Sequence, residues 1–158
     1  MSIEDFKGLM DGFEPAGLLP ELDAVLDKIV SLSRLVVLIG PIVLLLMGLL
    51  YIFASPKEAN HYLGYRCYYG MGSVEAWRFT QRFAGIVWAA LGLVLGIVML
   101  IISGSFREMD IMDLLWKAVY CVAAEAIATA VAWITVNIVV AARFDRKGNE
   151  RKKKAKRR

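Results

Sequence analysis

The sequence has few residues with which an enzyme could carry out chemistry. Its only histidine is His61, and its two cysteines, Cys67 and Cys121, have neither a CxxC nor any other metal-ligand spacing. A zinc site needs three or four ligands, and no nucleophile is found in a motif with a general base. Gly70 and Gly72 lack the further glycine and the flanking strand of a phosphate-binding loop. We therefore expect neither an enzyme nor a protein that holds a metal or another cofactor.

Charged residues are nearly absent from three long stretches of the chain. Apolar residues make up 58% of the 158 residues, which exceeds the roughly 45–50% of a soluble domain and excludes that class. About 20 uncharged residues in a helix cross a hydrocarbon layer of about 30 Å. We therefore predict an all-α integral membrane protein with an N-terminal amphipathic helix and three transmembrane helices, over residues 35–54, 83–103 and 115–142.

The acidic N-terminal segment, residues 1–34, precedes the membrane domain of residues 35–142. From Leu18 onward its apolar residues recur at steps of three and four, as in an amphipathic helix: Leu22, Val25, Leu26, Ile29 and Val30. This helix either lies at the membrane interface or binds a partner, or else it forms a short cap on the helix bundle. Both interpretations remain open at this point.

The basic tail, residues 143–158, has ten Lys or Arg residues and only two acids. The loop predicted between the first two spans, residues 55–82, is also basic. Because cytoplasmic segments are rich in Lys and Arg, we predict that both lie in the cytoplasm and that the N-terminus lies outside. The tail is expected to attract anionic lipids of the bilayer. Nucleic acid is not an expected partner, because the basic run 151–158 has no aromatic residue that could stack on a base.

Small residues line one face of each of the last two predicted spans. They are Gly85, Ala89, Gly92 and Gly96 in the second span, and Cys121, Ala128 and Ala132 in the third. Since small residues let the backbones of membrane helices approach closely, we predict that these two stripes face each other. They also make an oligomer conceivable.

Glu125 is the only formal charge deep within a predicted span. An ionised acid at the bilayer centre costs about 2.5–3.5 kcal/mol on insertion scales. A functional interpretation is that Glu125 binds a proton, a cation or a ligand. The structural alternative is a hydrogen bond between helices or with Thr129, and the sequence leaves both open.

The passage 60–77 between the first two spans is polar, aromatic and rich in glycine. Ser73 can cap a helix whose first turn contains Glu75. The passage resembles the SdpI family of bacterial membrane proteins over residues 60–88, although Cys67 stands where the family usually has threonine. The residues that match the family pattern are Asn60, Gly64, Arg66, Met71, Ser73, Glu75 and Trp77. The third span lies outside this resemblance.

The resemblance implies a multi-pass protein of the bacterial cytoplasmic membrane. It further implies immunity to a secreted peptide toxin, in some relatives joined to signalling through a cytoplasmic regulator. We expect Arg66 to pair with Glu75 and to stack near Trp77, forming a compact knob. Two other functions remain open: an assembly subunit of a membrane complex, and a small transporter that uses Glu125.

Overall fold

The structure is a computed structural model that describes residues 15–59 and 64–151, with side chains from residue 24 onward. In that part of the chain three long α-helices follow one another: α1 (Pro15–Phe53), α2 (Val74–Gly104) and α3 (Ile111–Arg143). A short 3-10 turn, Ser105–Glu108, joins α2 to α3. The predicted all-α architecture with three spanning helices is confirmed.

Each helix contains a segment long and apolar enough to cross a membrane. The segments are Ala24–Phe53, Val74–Glu108 and Ile111–Arg143, with mean hydropathies of 2.8, 2.7 and 1.8. Large apolar side chains cover their outer surfaces; Ile101, for example, is 73% exposed and Ile127 is 67% exposed. A surface this apolar exceeds the patches that soluble monomers tolerate, so the outer faces of the helices are suited to contact lipid.

Helix α1 has no break at the predicted boundary between residues 34 and 35. The amphipathic segment and the first span are one continuous helix, since no helix-ending signal separates them. Ile29 and Val30 pack against the buried side chain of Val37 and its neighbours, whereas Val25 is 53% exposed. The described part of the amphipathic segment therefore packs its inner face on the bundle. Residues 1–14, and the predictions made for them, lie outside the described residues.

The small residues of α2 pack against α1. A Cβ atom at Gly92 would lie 2.7 Å from the carbonyl oxygen of Pro41, and one at Gly85 would lie 2.8 Å from that of Gly48. A Cβ atom at Gly48 would in turn lie 2.7 Å from the Cα atom of Ala89. The prediction that the stripes of the second and third spans face each other is therefore wrong.

The stripe of α3 also faces α1. Cys121 belongs to the same buried cluster as Val37, and a Cβ atom at Gly40 would collide with the Oε2 atom of Glu125. Both stripes pack against α1 rather than against each other because α1 has small residues of its own, Gly40 and Gly48, two turns apart on one face. Farther along α3, Ala128 and Thr129 are half-buried and Ala132 is buried.

Polar contacts join the helices at the end where α2 passes into α3. The Nε atom of Arg34 donates to the carbonyl oxygen of Ser103 at 3.0 Å. Arg107 pairs with Asp27 at 3.4 Å, but both side chains are more than 60% exposed, and an exposed pair adds only about 0–1 kcal/mol. Burial of Phe106 and Leu114 beside these groups therefore contributes more to this end of the bundle.

Candidate functional site

At the opposite end of the bundle, the loop between α1 and α2 packs against the turn that follows α3. We call these residues, 54–59, 64–82 and 143–151, the cap. The hydroxyl of Ser73 donates to the carbonyl oxygen of Gly148 at 2.7 Å, and the rings of Phe79 and Phe144 lie 5.5 Å apart. The loop and the beginning of the tail thus lie at the same end of the helices, as the predicted topology requires.

Ser73 joins the start of α2 to the tail turn. It has the extended backbone of an N-cap residue, and its hydroxyl oxygen accepts from the backbone N–H of Ala76 at 3.1 Å. The predicted N-cap is therefore present. Gly148 has φ of +75°, and a Cβ atom at Gly72 would lie 2.6 Å from its nitrogen atom. The two backbones approach this closely only because both residues are glycine.

Trp77 forms the centre of the cap rather than part of its surface. Its side chain is fully buried, and its Nε1 atom donates to the carbonyl oxygen of Pro56 at 2.8 Å. Gly64 lies against the ring with φ of +120°, and a Cβ atom there would come within 2.7 Å of the Cζ2 atom of Trp77. Gly64 and Trp77, both identified from the family pattern, thus fix the path of the loop.

Gln81 is a residue of the cap whose role sequence analysis missed. Its Oε1 atom accepts from the backbone N–H of Tyr65 at 2.7 Å, and its Nε2 atom donates to the carbonyl oxygen of Tyr65 at 2.8 Å. The side chain is 1% exposed. Its amide bonds both backbone polar groups of Tyr65, as a neighbouring β-strand would. No local signal in the sequence identifies Gln81, because its partners belong to a residue 16 positions away and its burial follows from the packing of the loop on α2.

Tyr65 and Cys67 point into the protein. The hydroxyl of Tyr65 accepts from the Nδ2 atom of Asn137 on α3 at 2.8 Å, and burial raises the pKa of Tyr65 to about 12. Burial also raises the pKa of the Cys67 thiol, and hydrogen bonds involving Gly70 and Thr80 offset only part of this effect. A buried thiol with a raised pKa is chemically inert, so Cys67 has a packing role here.

The tail turn is closed by its own polar contacts. The guanidinium of Arg143 lies 4.3 Å from the ring centroid of Phe79, and its Nε atom donates to Glu150 at 2.8 Å. The carboxylate of Asp145 accepts from the backbone N–H of Asn149 at 2.8 Å, and this bond is the largest cause of its lowered pKa. These contacts order the start of the tail, whereas residues 152–158 lie outside the described residues.

Arg66, Tyr68 and Glu75 form part of the outer surface of the cap. In the described ranges 24–59 and 64–151, ion pairs join Arg107 to Asp27 and Arg143 to Glu150. The expected pair between Arg66 and Glu75 is therefore not formed. Trp77 is sealed inside the cap by Pro56 and Gly64, so it is not an exposed stacking partner either.

The remaining sequence-predicted residues are placed as follows. Met71 is half-buried at the edge of the cap, whereas Asn60 and His61 lie outside the described residues. Within the described residues, no three His, Cys, Asp or Glu side chains are grouped so that they could hold a metal ion. Cys67 and Cys121 are both buried thiols that form no disulfide.

Glu125 lies far from the cap, in a cleft between the helices. Its side chain is 6% exposed, and Thr129 lines the same cleft. Within the described part of the chain, the Oε1 atom of Glu125 has no hydrogen-bond partner. No hydrogen bond within the described residues joins the Oε1 atom to Thr129 or to a neighbouring helix, so for this atom the structural alternative is not realised.

Comparison with known proteins identifies the family. The model of the SdpI/YfhL protein family matches residues 57–142. This range includes the cap loop, α2 and nearly all of α3, so the prediction that the third span lies outside the resemblance is wrong. No curated protein and no solved structure matches the chain. Because the matched range covers more than half of its 158 residues, the protein belongs to the SdpI/YfhL family.

Proposed function

We propose that this protein gives a bacterial cell immunity to a secreted peptide toxin, and that the cap binds a regulator on the cytoplasmic side. The family membership supports this class of function over a catalytic one. The observation that carries the proposal is that buried and exposed side chains alternate along residues 65–68. Tyr65 and Cys67 are buried, whereas Arg66 and Tyr68 between and after them are exposed.

This alternation presents Arg66 and Tyr68 on a backbone that is fixed from both sides. Tyr65 is held by Gln81 and Asn137, and Cys67 is packed beside Thr80. Presenting side chains from an ordered segment lowers the entropy lost on binding. The pattern therefore suits recognition better than a flexible linker would.

The chemistry of the exposed side chains favours an acidic partner. A guanidinium offers a planar fork of donors that matches a carboxylate. Besides Arg143, which pairs with Glu150, the other exposed basic residues of the cap add positive charge around Arg66: Lys57, Arg78, Arg82, Arg146, Lys147 and Arg151. We therefore infer that the regulator binds through an acidic surface segment.

The charge of the cap also supports its cytoplasmic location. Basic residues near the ends of spanning helices favour the cytoplasmic side, and the cap is followed by the basic run 151–158. Reporter fusions after residue 60 and after Arg158 are expected to report the cytoplasm. A periplasmic signal from either fusion would contradict this orientation.

The test of function replaces Arg66. Secreted peptides encoded beside the gene would be expressed in a host with and without this protein, and survival would be scored. We expect wild type to protect, Arg66→Ala to lose at least tenfold in the tolerated toxin dose, and Arg66→Lys to restore little of it. Arg107→Ala, at the opposite end of the bundle, is the matched control and should still protect.

Membrane levels and thermal unfolding should be measured for each variant. Arg66 is exposed, and an exposed polar contact adds only about 0–1 kcal/mol, so its replacement is expected to leave both nearly unchanged. If Arg66→Ala protects as well as wild type, the cap is not the recognition surface. If wild type itself protects against none of the neighbouring secreted peptides, the immunity function is refuted.

A further inference from the structure

Two arginines lie on one face of α2, where the helix leaves the cap. Arg78 and Arg82 are both exposed. They are four residues apart on a helix, so their Cβ atoms lie about 5–6 Å from each other. Among the described residues, neither forms an ion pair with a carboxylate. Like charges at this spacing repel each other, and an anion bound to both side chains would relieve that repulsion.

Arg82 lies at the boundary of the apolar part of α2. Residues 83–104 have no charged side chain, and at 1.5 Å per residue they extend about 33 Å along the helix. The hydrocarbon core of a bilayer is about 30 Å thick. When this run crosses the core, Arg82 lies level with the phosphate groups of one leaflet, and Arg78 lies about 6 Å farther out. Both guanidiniums are therefore within reach of lipid headgroups.

An apolar surface continues from Arg82 toward the middle of the span on the same face of α2. Ile86, Leu93 and Leu100 follow Arg82 at steps of four and seven residues, which keep them on one side of a helix. Their side chains are 59%, 54% and 60% exposed. In a membrane, exposed apolar side chains at this depth contact acyl chains. A lipid whose headgroup binds the arginines is thus able to lay an acyl chain along this stripe.

The acid on this face does not take the place of the anion. Glu75 lies three residues before Arg78 and is exposed, but in the described part of the chain it forms no ion pair with either arginine. At the other boundary of the apolar run, Arg107 pairs with Asp27 at 3.4 Å. The described residues therefore provide a carboxylate for the arginine at one boundary and for neither arginine at the other.

Two guanidiniums this close to each other match a headgroup that has two phosphates. A guanidinium binds a phosphate through two parallel N–H···O bonds, and it is more weakly hydrated than an ammonium. A phosphatidylcholine headgroup brings a cation of its own, which the pair would repel. Phosphatidylglycerol carries one negative charge and neutralises only one arginine. A lipid with two linked phosphates neutralises both, and only one molecule is ordered on binding.

We propose that Arg78 and Arg82 bind a diphosphatidyl lipid, with one phosphate on each guanidinium and an acyl chain along Ile86 and Leu93. Basic sites beside spanning helices are known to take headgroups of this kind. The site differs from the general attraction expected between the basic tail and anionic lipids, because two residues of one rigid helix define it. It depends neither on the proposed immunity function nor on the orientation of the chain.

The test uses the purified full chain in phosphatidylcholine nanodiscs that contain a trace of diphosphatidylglycerol with a photoreactive diazirine in one acyl chain. Unlabelled diphosphatidylglycerol should block photolabelling at a total phosphate charge at least fivefold lower than phosphatidylglycerol requires. Mass spectrometry should place the blocked adducts around residues 86–100. Equal competition at equal charge, or adducts outside α2, would overturn the proposal. Equally strong competition by inorganic pyrophosphate would assign the site to a water-soluble phosphate compound and would also overturn it.

Variants separate this site from general attraction between opposite charges. Replacing both Arg78 and Arg82 with glutamine should lower the specific labelling at least fivefold. The matched control replaces Arg146 and Lys147 with glutamine, which removes the same two charges from exposed residues of the tail turn at the same end of the bundle. This control should retain most of the labelling. An equal loss in both double variants would show that only the net charge matters and would refute the site.

Thermal unfolding in lipid-free detergent shows whether each variant folds. Because a ligand that binds the folded state stabilises it, excess diphosphatidylglycerol should raise the unfolding midpoint of wild type and of the control but not that of the double arginine variant. If the double arginine variant fails to fold, Arg82→Gln alone decides. It should lower the specific labelling at least twofold, and unchanged labelling would overturn the proposal.

Discussion

Replacing Gly92 with alanine should loosen the contact between α1 and α2. A Cβ atom at this position would lie 2.7 Å from the carbonyl oxygen of Pro41 and 2.9 Å from the Cα atom of Leu45. Both are backbone atoms, so no side-chain rotation can relieve the overlap. Ordinary contact would need the two helices to separate locally by about 0.5–1 Å, a gap that forfeits about a quarter to a half of the dispersion attraction between facing atoms.

The expected size of the effect follows from overpacking in a close-packed interface. Forcing one methyl group into such a site costs about 1–3 kcal/mol, and membrane helices depend on close packing because lipid provides no hydrophobic drive to associate. Alanine also favours the helix over glycine by about 0.8–1.0 kcal/mol. A control that shares this propensity gain is therefore required.

Gly96→Ala is that control, one turn farther along α2. A Cβ atom at Gly96 would lie 3.7 Å from the Cβ atom of Pro41, which is ordinary contact. Thermal unfolding in the same detergent should show Gly92→Ala less stable than Gly96→Ala by about 1–3 kcal/mol, or roughly 2–12 °C at 2–4 °C per kcal/mol. Equal midpoints for the two variants would refute the close approach of α1 and α2 at Gly92.

Three further predictions concern the cap. Gln81→Leu leaves the buried N–H and C=O groups of Tyr65 without hydrogen-bond partners, and each unsatisfied group costs about 1–3 kcal/mol of stability. Trypsin should therefore cleave after Arg66 faster than in wild type. An unchanged cleavage rate would show that other contacts hold the loop. Burial raises the pKa of Tyr65 to about 12, so its stabilising contribution should be complete below about pH 10 and lost as pH rises through about 12. The tyrosinate absorbance of wild type minus Tyr65→Phe should therefore rise only near pH 12, and a rise near pH 10 would contradict the burial. The pKa of Asp145 is lowered by the backbone hydrogen bond from Asn149, so the tail turn should be stable above the usual carboxyl pKa and loosen as pH falls through the lowered value. Amide exchange at Asn149 in wild type and in Asp145→Ala measures this, and identical protection in both would refute the role of the carboxylate.

The spanning helices could be predicted because each depends on a property that is local in sequence. An uncharged run of sufficient length needs no information about its neighbours, and Ser73 followed by Glu75 marks a helix start by itself. The observed α2 begins at Val74, whereas the predicted span began at residue 83. The helix start follows the predicted cap Ser73, whereas the uncharged run from which the span was predicted begins only at residue 83, because residues 74–82 are amphipathic rather than uniformly apolar.

The contacts that could not be predicted join residues far apart in the chain. Gln81 bonds the backbone of a residue 16 positions away, and Ser73 bonds Gly148 across 75 positions. No small residue lies three or four positions before or after Gly48, so nothing local in the sequence identifies Gly48 as the partner of Ala89. The rotation of each helix about its own axis decides which faces of the three apolar helices meet. No periodic pattern in a single sequence reveals that rotation.

The motif residues of the cap divide into those that hold its fold and those that lie on its surface. Gly64, Ser73 and Trp77 make contacts that hold the loop to α2 and to the tail, and all three act through backbone shape or through hydrogen bonds to backbone atoms. Replacing such residues alters the fold of the cap before it alters any surface. Arg66 is a motif residue on the outside of that cap, where an exposed polar contact of the guanidinium contributes only about 0–1 kcal/mol to stability. A residue that is exposed, rigidly presented and chemically specific is suited to recognition, so substitutions at Arg66 report on function, whereas substitutions at Trp77 report first on folding.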